Sequence, residues 1–509
     1  MSQIFWRMIK AIKKPSISFT VDRIIVLNPD NFIEPILHQT KFIEGNHIIF
    51  LNKALSLDCI WKNSQQESKL WQYHLHYFNG LLSCDKNTVF KMTELLQFWL
   101  IYYPPCTKMA WDPYPISIRI VNLIKYQFIY SNLSADLLKN IYLQARFLYE
   151  TPEYHLLGNH LLENAKALVF SGFFFEGDEP RKWAQLGLHI LHQEIPRQIL
   201  DDGGFFELSP MYHALMQELM LDIYNLFQAY QIPFPALWGI KLQKMRFWLK
   251  AMTHPDGQLS FFNDSALYIA PTLFDLEGYA KRLHLPDVES SLEGITHLKE
   301  SGYIRLQKNK WVAILDCAKI GPDYLPAHGH ADTLSFELSL NGKRIIVNSG
   351  TSTYSDLKQR QWERSTAAHN TVEINNQNSS DTWSFFRVGK RAYPCQLKIQ
   401  ENEQYYTVVC GHTGYKKCNV MPIRQWIMTD HLFSIEDNIG VKNKGVVRFY
   451  LHPAFVFSEK IEGLSESAFY PEFGKMIPSN VIARQFYQTT KLTISFDKDC
   501  INDFRLNFS

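Results

Sequence analysis

The apolar residues of this chain change their spacing near residue 300. Between about residues 65 and 290 they recur three and four positions apart, as in SADLLKNIYLQARFLYE (134–150), which is the spacing of one helix face. After about residue 300 they alternate in twos, as in TLSFELSLNGKRIIVNSG (333–350), which is typical of half-buried strands. The chain therefore predicts a helical region followed by an all-β region.

Turn residues refine this division. Short breaks such as DDGG (201–204) and HPDG (254–257) separate the helical segments and favour a stack or toroid of helical hairpins. Asn341-Gly342 between two alternating runs is a hairpin signal, and the repeated turns favour an antiparallel sandwich. We predict an α+β multidomain chain: a segment with short strands at 1–64, an (α/α) toroid at 65–298 and a β-sandwich at 299–509.

Composition excludes some classes of function. Lys and Arg total 52 against 50 Asp and Glu, so no overall positive field attracts nucleic acid, and an anionic ligand needs a local basic cluster. The eight cysteines form no CxxC pair, so neither a zinc ribbon nor a redox motif is indicated. The N-terminus, MSQIFWRMIKAIKKPSISFT, lacks the apolar core of a signal peptide, and no window predicts a membrane span. By default these features place the chain in the cytoplasm.

The motif PAHGHADTLSFEL (326–338) carries the first candidate residues. His328 and His330 lie two positions apart, so an extended chain presents both on one side, and Gly329 lets the backbone bend or a ligand approach. Later segments add polar side chains near predicted strand ends: Asn348, Tyr354, Arg364, His369 and Asn370. Two histidines and an oxygen ligand are what a zinc site needs. Taken singly, each histidine is better explained as filling a polar hole at a strand end, and it is their clustering that favours a site.

Two motifs of the helical half add candidates. In GNHLLENAKAL, Asn159 is a neutral donor suited to a carboxylate, and His160 and Glu163 share one helix face; a capping Asn beside a buried polar pair is the alternative. In GGFFELSPMYH, Ser209-Pro210 predicts a helix start, and the positive end of that helix favours the phenolate form of Tyr212. A tyrosine that simply packs at the helix start is the alternative there.

Two further segments suit an anionic sugar. WDPYPISIRIVN places Trp111, Tyr114 and Arg119 around a proline-braced turn, where rings and a guanidinium can bind a sugar acid or stack structurally. DTWSFFRVGKRA (381–392) predicts a hairpin with a basic rim, or a solvated edge, formed by Arg387, Lys390 and Arg391.

Taken in order along the chain, these motifs resemble the heparinase II/III-like polysaccharide lyases, over about residues 70–450. The resemblance implies an (α/α) toroid, a C-terminal sandwich and β-elimination on a uronic-acid-containing glycan. Asn159 would neutralise the uronate carboxylate, and Tyr212 and His328 would act as base and acid. The same resemblance implies supporting roles for His160, Glu163 and Tyr354. Apart from it, the aromatic and guanidinium side chains named above predict substrate contacts for Trp111, Tyr114, Arg119, Arg364 and Arg387.

The resemblance also implies a structural zinc ion in some members, with ligands at the positions of His330, Asn348 and His369. This chain has Asn348 where an Asp is expected, and Asn is a poorer zinc ligand, so zinc and no metal both stay open. Members of the family are typically exported, in contrast with the default location above.

Two other functions stay open at this stage. A glycoside hydrolase on the same toroid would need two carboxylates, with Glu163, Glu207 and Asp264 as the candidates. A non-catalytic glycan-binding protein of capsule or lipopolysaccharide assembly would keep the fold without needing Asn159, Tyr212 and His328 together.

Overall fold

The computed structural model describes residues 18–21, 23–39, 42–288, 291–455, 462–496 and 504–508. The chain divides into two compact units that alternate along the sequence. A helical unit comprises the described residues of Met1–Gln198 with Met216–Leu242 and Asp275–Asp287, and a β unit comprises Ile199–Leu215, Gln243–Phe274 and Val288–Ser509. The predicted division into domains at 1–64, 65–298 and 299–509 stays a prediction.

The helices of the described chain confirm the predicted helical half. Their bounds are α1 Ile60–Asn63, α2 Lys69–Tyr77, α3 Lys86–Tyr102, α4 Pro113–Tyr130, α5 Ala135–Glu150, α6 Gly158–Phe174, α7 Asp178–Gln198, α8 Pro210–Ala229, α9 Ala236–Ala251, α10 Leu273–Arg282 and α11 Leu357–Glu363. In the helical unit α4 packs against α2, α5 and α6, and α6 packs against α7, as expected for successive hairpins of a toroid. Within the described residues no helix is long and apolar enough to cross a membrane.

Local sequence explains where these helices begin. The side chains of Asp85 and Ser134 accept backbone N–H groups at the starts of α3 and α5, which satisfies donors that no helical carbonyl reaches. The buried residues of α5, among them Leu137, Ile141 and Leu148, recur at helical spacing and face the core of the helical unit.

Short strands precede the helices. They are β1 Ile43–Glu44, β2 His47–Phe50 and β3 Lys53–Ser56, which form an antiparallel sheet within the predicted segment KFIEGNHIIFLN and just beyond it. The other predicted strand, VDRIIVL (21–27), contributes a single bridge from Val26 to Phe175, and its Asp22 lies outside the described residues.

The β unit holds the remaining strands of the described chain. They are β4 Gly294–Leu298, β5 Tyr303–Lys308, β6 Trp311–Asp316, β7 Phe336–Leu340, β8 Lys343–Ile346, β9 Val372–Ile374, β10 Thr382–Trp383, β11 Arg387–Val388, β12 Pro394–Glu401, β13 Tyr405–His412, β14 Ile423–Thr429, β15 Leu432–Leu451, β16 Leu464–Glu472, β17 Lys475–Phe496 and β18 Phe504–Phe508. All pairs between them are antiparallel, and the main path runs β12-β13-β14-β15-β8-β7-β6-β5-β4. Strand β17 pairs with β15, β16 and β18.

The hairpin between β7 and β8 turns where the sequence predicts. Leu340 pairs with Lys343, and Asn341 and Gly342 between them have φ values of 51° and 79°, as a two-residue hairpin turn requires. The core of the sandwich collects inward-facing side chains from many strands, including Trp311, Phe336 and Phe433. The predicted α+β fold, a helical toroid followed by an antiparallel sandwich, is confirmed.

Candidate active site

The loop that carries His328 is held by close backbone contacts in the β unit. A Cβ atom at Gly329 would lie 2.2 Å from the carbonyl oxygen of Ile320, so only glycine fits there without a shift of the backbone. The buried Arg364 guanidinium donates to the Gly329 carbonyl oxygen through Nε at 3.1 Å and Nη2 at 2.9 Å. These contacts fix the direction in which the neighbouring His328 points.

Tyr212 is placed by the start of α8. Ser209 caps the helix, because its hydroxyl oxygen accepts the Tyr212 N–H at 3.2 Å, and Pro210 is the first helical residue, as the sequence predicts. Leu208 before the cap has a φ of 59°, a left-handed conformation that is uncommon for leucine. The Ser209 hydroxyl also donates to the Asp264 carbonyl oxygen at 2.6 Å, which ties the helix start to a neighbouring loop.

Three residues predicted from separate motifs meet in the β unit. The rings of Tyr212 and His328 lie 4.0 Å apart between centroids, and the hydroxyl oxygens of Tyr212 and Tyr354 lie 3.3 Å apart. Phe386 lies against Tyr354, with ring centroids 5.1 Å apart. The side chains of His328, Tyr212 and Tyr354 are half-buried, so each keeps some access to solvent.

Asp264 organises this cluster. One carboxylate oxygen accepts a hydrogen bond from His328 Nδ1 at 2.8 Å, and the other lies 2.8 Å from His330 Nε2. Arg360 donates to both oxygens, through Nη2 at 2.7 Å and through Nη1. Asn263 supports the loop, since its side chain accepts the His330 N–H at 2.9 Å and donates to the Leu208 carbonyl oxygen at 2.9 Å.

The electrostatics of the cluster follow from burial and charge. Burial alone would raise the pKa of Asp264, but the Arg360 guanidinium and hydrogen bonds from His328 and His330 hold it well below its ordinary value. Burial and the Asp264 charge raise the pKa of Tyr212, and they raise that of Tyr354 as well. The expectation that the helix start favours a phenolate at Tyr212 is therefore wrong, because desolvation and a nearby carboxylate outweigh the helix dipole.

A second carboxylate lies on the other side of His328. The Oε2 atom of Glu207 is 3.6 Å from His328 Nε2, and the Glu207 side chain is buried. His328 therefore lies between Asp264 at Nδ1 and Glu207 at Nε2. The sequence presents Asp264 only within FFNDS and Arg360 only within a run of polar residues, so no local pattern marks either as part of the cluster.

Asn159 lies at the start of α6 in the helical unit. The two residues before it, Leu157 and Gly158, have φ values of 61° and 58°, so a strained turn sets its orientation. The residue is 4% exposed, and among the described residues its side chain has no hydrogen-bond partner. A buried carboxamide without an internal partner leaves its hydrogen-bonding capacity for a ligand.

His160 follows Asn159 and contacts two other residues of the helical unit. Its Nδ1 atom lies 3.1 Å from Glu153 Oε2, and its ring lies 4.3 Å from the ring of Tyr114. Tyr114 is half-buried and also lies 6.0 Å from the ring of Tyr77. Tyr114 and His160 therefore form one aromatic pair, beside the helix start that carries Asn159.

Glu163 belongs to a buried ionic network. Its carboxylate lies 3.2 Å from the Lys166 ammonium, which lies 3.2 Å from Asp222, and Asp222 also pairs with Lys125 at 2.6 Å. Burial raises the pKa of Glu163 despite the nearby Lys166. In this network Asp222 of α8 joins Lys125 of α4 to Lys166 of α6, and Glu163 contacts Lys166 on its own helix.

Two predicted substrate contacts have structural roles. Trp111 is buried, and its indole N–H donates to the Tyr103 carbonyl oxygen at 3.3 Å. Arg119 is fully buried and donates to the Gln144 side chain at 2.9 Å and to the carbonyl oxygens of His76 and Ala110 at 2.8 Å each. Substrate contact by Trp111 and Arg119 is not supported by this geometry, because both donors are enclosed and bound by their own chain.

The basic residues near the β10–β11 hairpin differ in accessibility. Arg364 is buried and holds the loop of His328, whereas Arg387 is exposed. Lys390 donates to the Gly414 carbonyl oxygen and lines a shallow open pocket whose wall consists of Gln377, Asn378, Asp381, Thr382, Lys390 and Lys417. Thr382 donates to the Arg364 carbonyl oxygen at 3.3 Å, which links this pocket to the residue that holds the His328 loop.

Two of the three residues named as zinc ligands, His330 and His369, contact each other. His330 Nδ1 is 3.1 Å from His369 Nε2, and His369 Nδ1 donates to the Ser365 carbonyl oxygen at 2.7 Å. The Oδ1 atom of Asn348 accepts the Ser335 hydroxyl at 2.8 Å. Within the described chain no group of three or more His, Cys, Asp or Glu side chains is arranged to hold a metal ion.

Comparison with known proteins agrees with this architecture. The family model described as heparinase II/III N-terminus matches residues 93–281, and the model described as heparinase II/III-like, C-terminal, matches residues 291–486. A heparin-sulfate lyase of Bacteroides stercoris is 29% identical over 273 residues, which cover 50% of this chain and 41% of the relative. A heparin-sulfate lyase of Pedobacter heparinus is 26% identical over 304 residues, which cover 53% and 45%.

A solved structure shares the fold across both units. The crystal structure of heparinase III superimposes with a TM-score of 0.67 at 18% sequence identity, covering 90% of this chain and 85% of the other. In sequence, the matched regions span about half the length of the curated relatives.

Proposed function

This chain belongs to the heparinase II/III-like family, and we propose that it is a polysaccharide lyase that cleaves a uronic-acid-containing glycan by β-elimination. The observation that carries the proposal is the cluster of a histidine, Asp264 and a tyrosine, with the ring of Tyr212 4.0 Å from that of His328. Elimination needs a base for the C5 proton, an acid for the departing O4 and a group that neutralises the carboxylate.

His328 has the arrangement of a base. Arg360 keeps the Asp264 carboxylate ionised, so this group can only accept hydrogen bonds. The Nδ1 atom of His328 therefore carries a proton and donates it to Asp264. The neutral imidazole then has its lone pair on Nε2, as in other carboxylate-oriented histidines. We assign to Nε2 the abstraction of the C5 proton.

Tyr212 has the arrangement of an acid. Burial and the charge of Asp264 raise the pKa of its phenol, so the hydroxyl keeps its proton at neutral pH. As the C5–H bond breaks, its electrons form the C4=C5 double bond, the C4–O4 bond breaks, and O4 takes the Tyr212 proton. The Tyr354 hydroxyl, 3.3 Å away, is placed to stabilise the phenolate that results.

Asn159 completes the assignment as the neutraliser of the carboxylate. A carboxamide donates N–H groups without introducing a charge that would bind substrate and transition state equally. Its lack of a partner among the described residues supports this role. Exposed Arg387 and the lysines of the shallow pocket, Lys390 and Lys417, suit the anionic groups of the same glycan.

The hydrolase alternative has less support. Asp264 is bound by Arg360 and two histidines, and Glu163 pairs with Lys166, so neither carboxyl group is free to protonate a glycosidic oxygen or activate water. Glu207 would then be the only one of the three candidate carboxyl groups left, and a glycoside hydrolase needs two.

The test is incubation of the protein with a panel of acidic glycans, followed by ultraviolet absorbance and product mass. Elimination yields a conjugated unsaturated uronate that absorbs in the ultraviolet, whereas hydrolysis adds a water and creates no such band. We expect an absorbing product with one glycan class and a loss of at least about 100-fold in kcat for Tyr212→Phe. If every product carries an added water, the reaction is hydrolysis and the proposal is wrong. Tight binding without turnover would instead favour a binding protein.

A further inference from the structure

The zinc ion that the resemblance implies has two suitable donors here. The Nδ1 atom of His330 and the Nε2 atom of His369 lie 3.1 Å apart, a separation that zinc–nitrogen bonds of about 2.0–2.1 Å can span. The opposite ring nitrogens contact Asp264 Oδ1 at 2.8 Å and the Ser365 carbonyl oxygen at 2.7 Å, as outer partners of ligating histidines do. The two imidazoles therefore do not exclude a metal.

The third position does exclude one. The Oδ1 atom of Asn348 accepts the Ser335 hydroxyl at 2.8 Å and two groups of Asn370, the side-chain Nδ2 at 3.3 Å and the backbone N–H at 3.4 Å. The Nδ2 atom of Asn348 is fully buried and has no hydrogen-bond partner among the described residues. Turning the amide over would set its NH2 group against the two N–H donors of Asn370, so the oxygen stays bound to these donors.

The local charge also opposes a divalent cation. An Asp at residue 348 would supply a negative charge, which Asn348 does not. The carboxylate that contacts His330, Asp264, is already matched by the two-pronged ion pair with Arg360, and a second buried guanidinium, Arg364, holds the adjacent loop. Two neutral imidazoles beside two buried cations cannot offset the desolvation of a zinc ion, and structural zinc sites normally have four ligands.

Asn370, the hydrogen-bond partner of Asn348, also bonds to neighbouring strands. Asn370 donates to the Phe336 carbonyl oxygen of β7 at 2.9 Å, and its Oδ1 accepts the Tyr450 N–H of β15 at 2.7 Å. Asn348 and the preceding Val347 directly follow β8. Asn370 bonds to Asn348, and the Val347 N–H donates to the Tyr450 carbonyl oxygen at 3.0 Å. The amide pair Asn348–Asn370 thus connects β7 and β15 to the segment that follows β8.

We propose that this chain holds no zinc at His330 and His369, and that the hydrogen-bonded amide pair Asn348–Asn370 takes over the structural role of the metal. In place of a metal, a proton lies between the facing nitrogens His330 Nδ1 and His369 Nε2, because two lone pairs would repel each other at 3.1 Å. His330 also stays a hydrogen-bond partner of Asp264, which orients His328. The proposal concerns the metal content of the chain and does not depend on lyase activity.

The test measures zinc content and thermal stability of the purified full chain after dialysis against equimolar zinc. We expect the wild type to retain well under one zinc per chain, and its melting temperature to be unchanged by a chelator. Asn348→Asp restores a carboxylate, and we expect it to bind about one zinc per chain and to lose stability with the chelator. The double variant Asn348→Asp/His369→Ala should bind none, which would locate the gained ion.

The contrary outcomes are equally clear. Stoichiometric zinc in the wild type that His369→Ala removes would overturn the proposal, as would a folded Asn348→Asp chain that takes up no zinc. Zinc retained by the wild type and unaffected by His369→Ala binds elsewhere and leaves the proposal standing. If Asn348→Asp does not fold, calorimetric zinc titration of the wild type and of His369→Ala decides alone.

Discussion

The carboxylate of Asp264 accepts a hydrogen bond of 2.8 Å from the Nδ1 atom of His328. The two residues are 64 positions apart in sequence and meet in the β unit, where Arg360 keeps the carboxylate ionised. This contact sets which nitrogen of His328 is basic, and the proposed base depends on it.

Asp264→Asn tests that dependence. An amide in this position can donate to Nδ1 and so favour the tautomer with the proton on Nε2, which is no longer a base. We expect kcat to fall about 10³–10⁴-fold, the effect of the matching change in a serine-protease triad. Kinetics should be paired with a melting curve, because an unpaired buried Arg360 also destabilises the fold. Activity within about tenfold of the wild type would contradict the assigned role of Asp264.

Substitution of Asn159 should affect catalysis much more than stability. Its side chain is buried but has no hydrogen-bond partner among the described residues, so Asn159→Ala leaves a small cavity, breaks no internal hydrogen bond and should cost about 0.5–1.5 kcal/mol of unfolding free energy. The same change should lower kcat about 10²–10³-fold, the effect of removing one oxyanion donor. Asn159→Asp should be worse, because a negative charge would repel the uronate. Equal activity of all three proteins would remove Asn159 from the mechanism.

Gly329→Ala tests the close backbone approach at the His328 loop. The new Cβ would lie 2.2 Å from the Ile320 carbonyl oxygen, so we expect a loss of about 1–3 kcal/mol in urea unfolding, together with reduced kcat. Gly239→Ala is the matched control: its nearest neighbour is a Phe234 ring carbon at 4.0 Å, and it lies within α9. That control should be neutral or stabilising by up to about 1 kcal/mol.

Glu337 predicts a pH dependence of stability. Burial raises its pKa to about 7 from an ordinary value of 4.5, although Arg344 opposes the shift. Between these two values the folded chain holds a proton that the unfolded chain has released, so the unfolding free energy decreases as pH rises from about 4.5 to about 7.

The measurement is the unfolding free energy in urea at pH 5 and pH 7, for the wild type and for Glu337→Gln. The variant keeps an acceptor oxygen for the N–H groups of Asn348 and Phe261 but cannot titrate. The decrease in stability between the two pH values should be smaller in the variant than in the wild type. An identical decrease in both proteins would show that Glu337 does not carry the proton.

Local sequence was sufficient for the elements and for part of the site. The spacing of apolar residues distinguishes α5 from β7, and Ser209-Pro210 and Asn341-Gly342 mark a helix start and a hairpin, because these features depend on neighbours within a few positions. The ordered motifs also pointed to Tyr212, His328 and Tyr354, which the structure brings together.

The burial of individual side chains and their partners from distant parts of the chain could not be predicted from local sequence. Arg119 and Arg360 are both arginines on helices, yet one is enclosed among carbonyl oxygens and the other binds Asp264, 96 positions away. The raised pKa of Tyr212 likewise depends first on its burial and then on a carboxylate from a different loop, and together these reverse the effect expected from its own helix. The sequence by itself determined where helices and strands form and which side chains are candidates, since those follow from short-range periodicity. Only the tertiary structure decided which carboxylate faces which histidine, because electrostatic and hydrogen-bond partners are set by packing between distant segments.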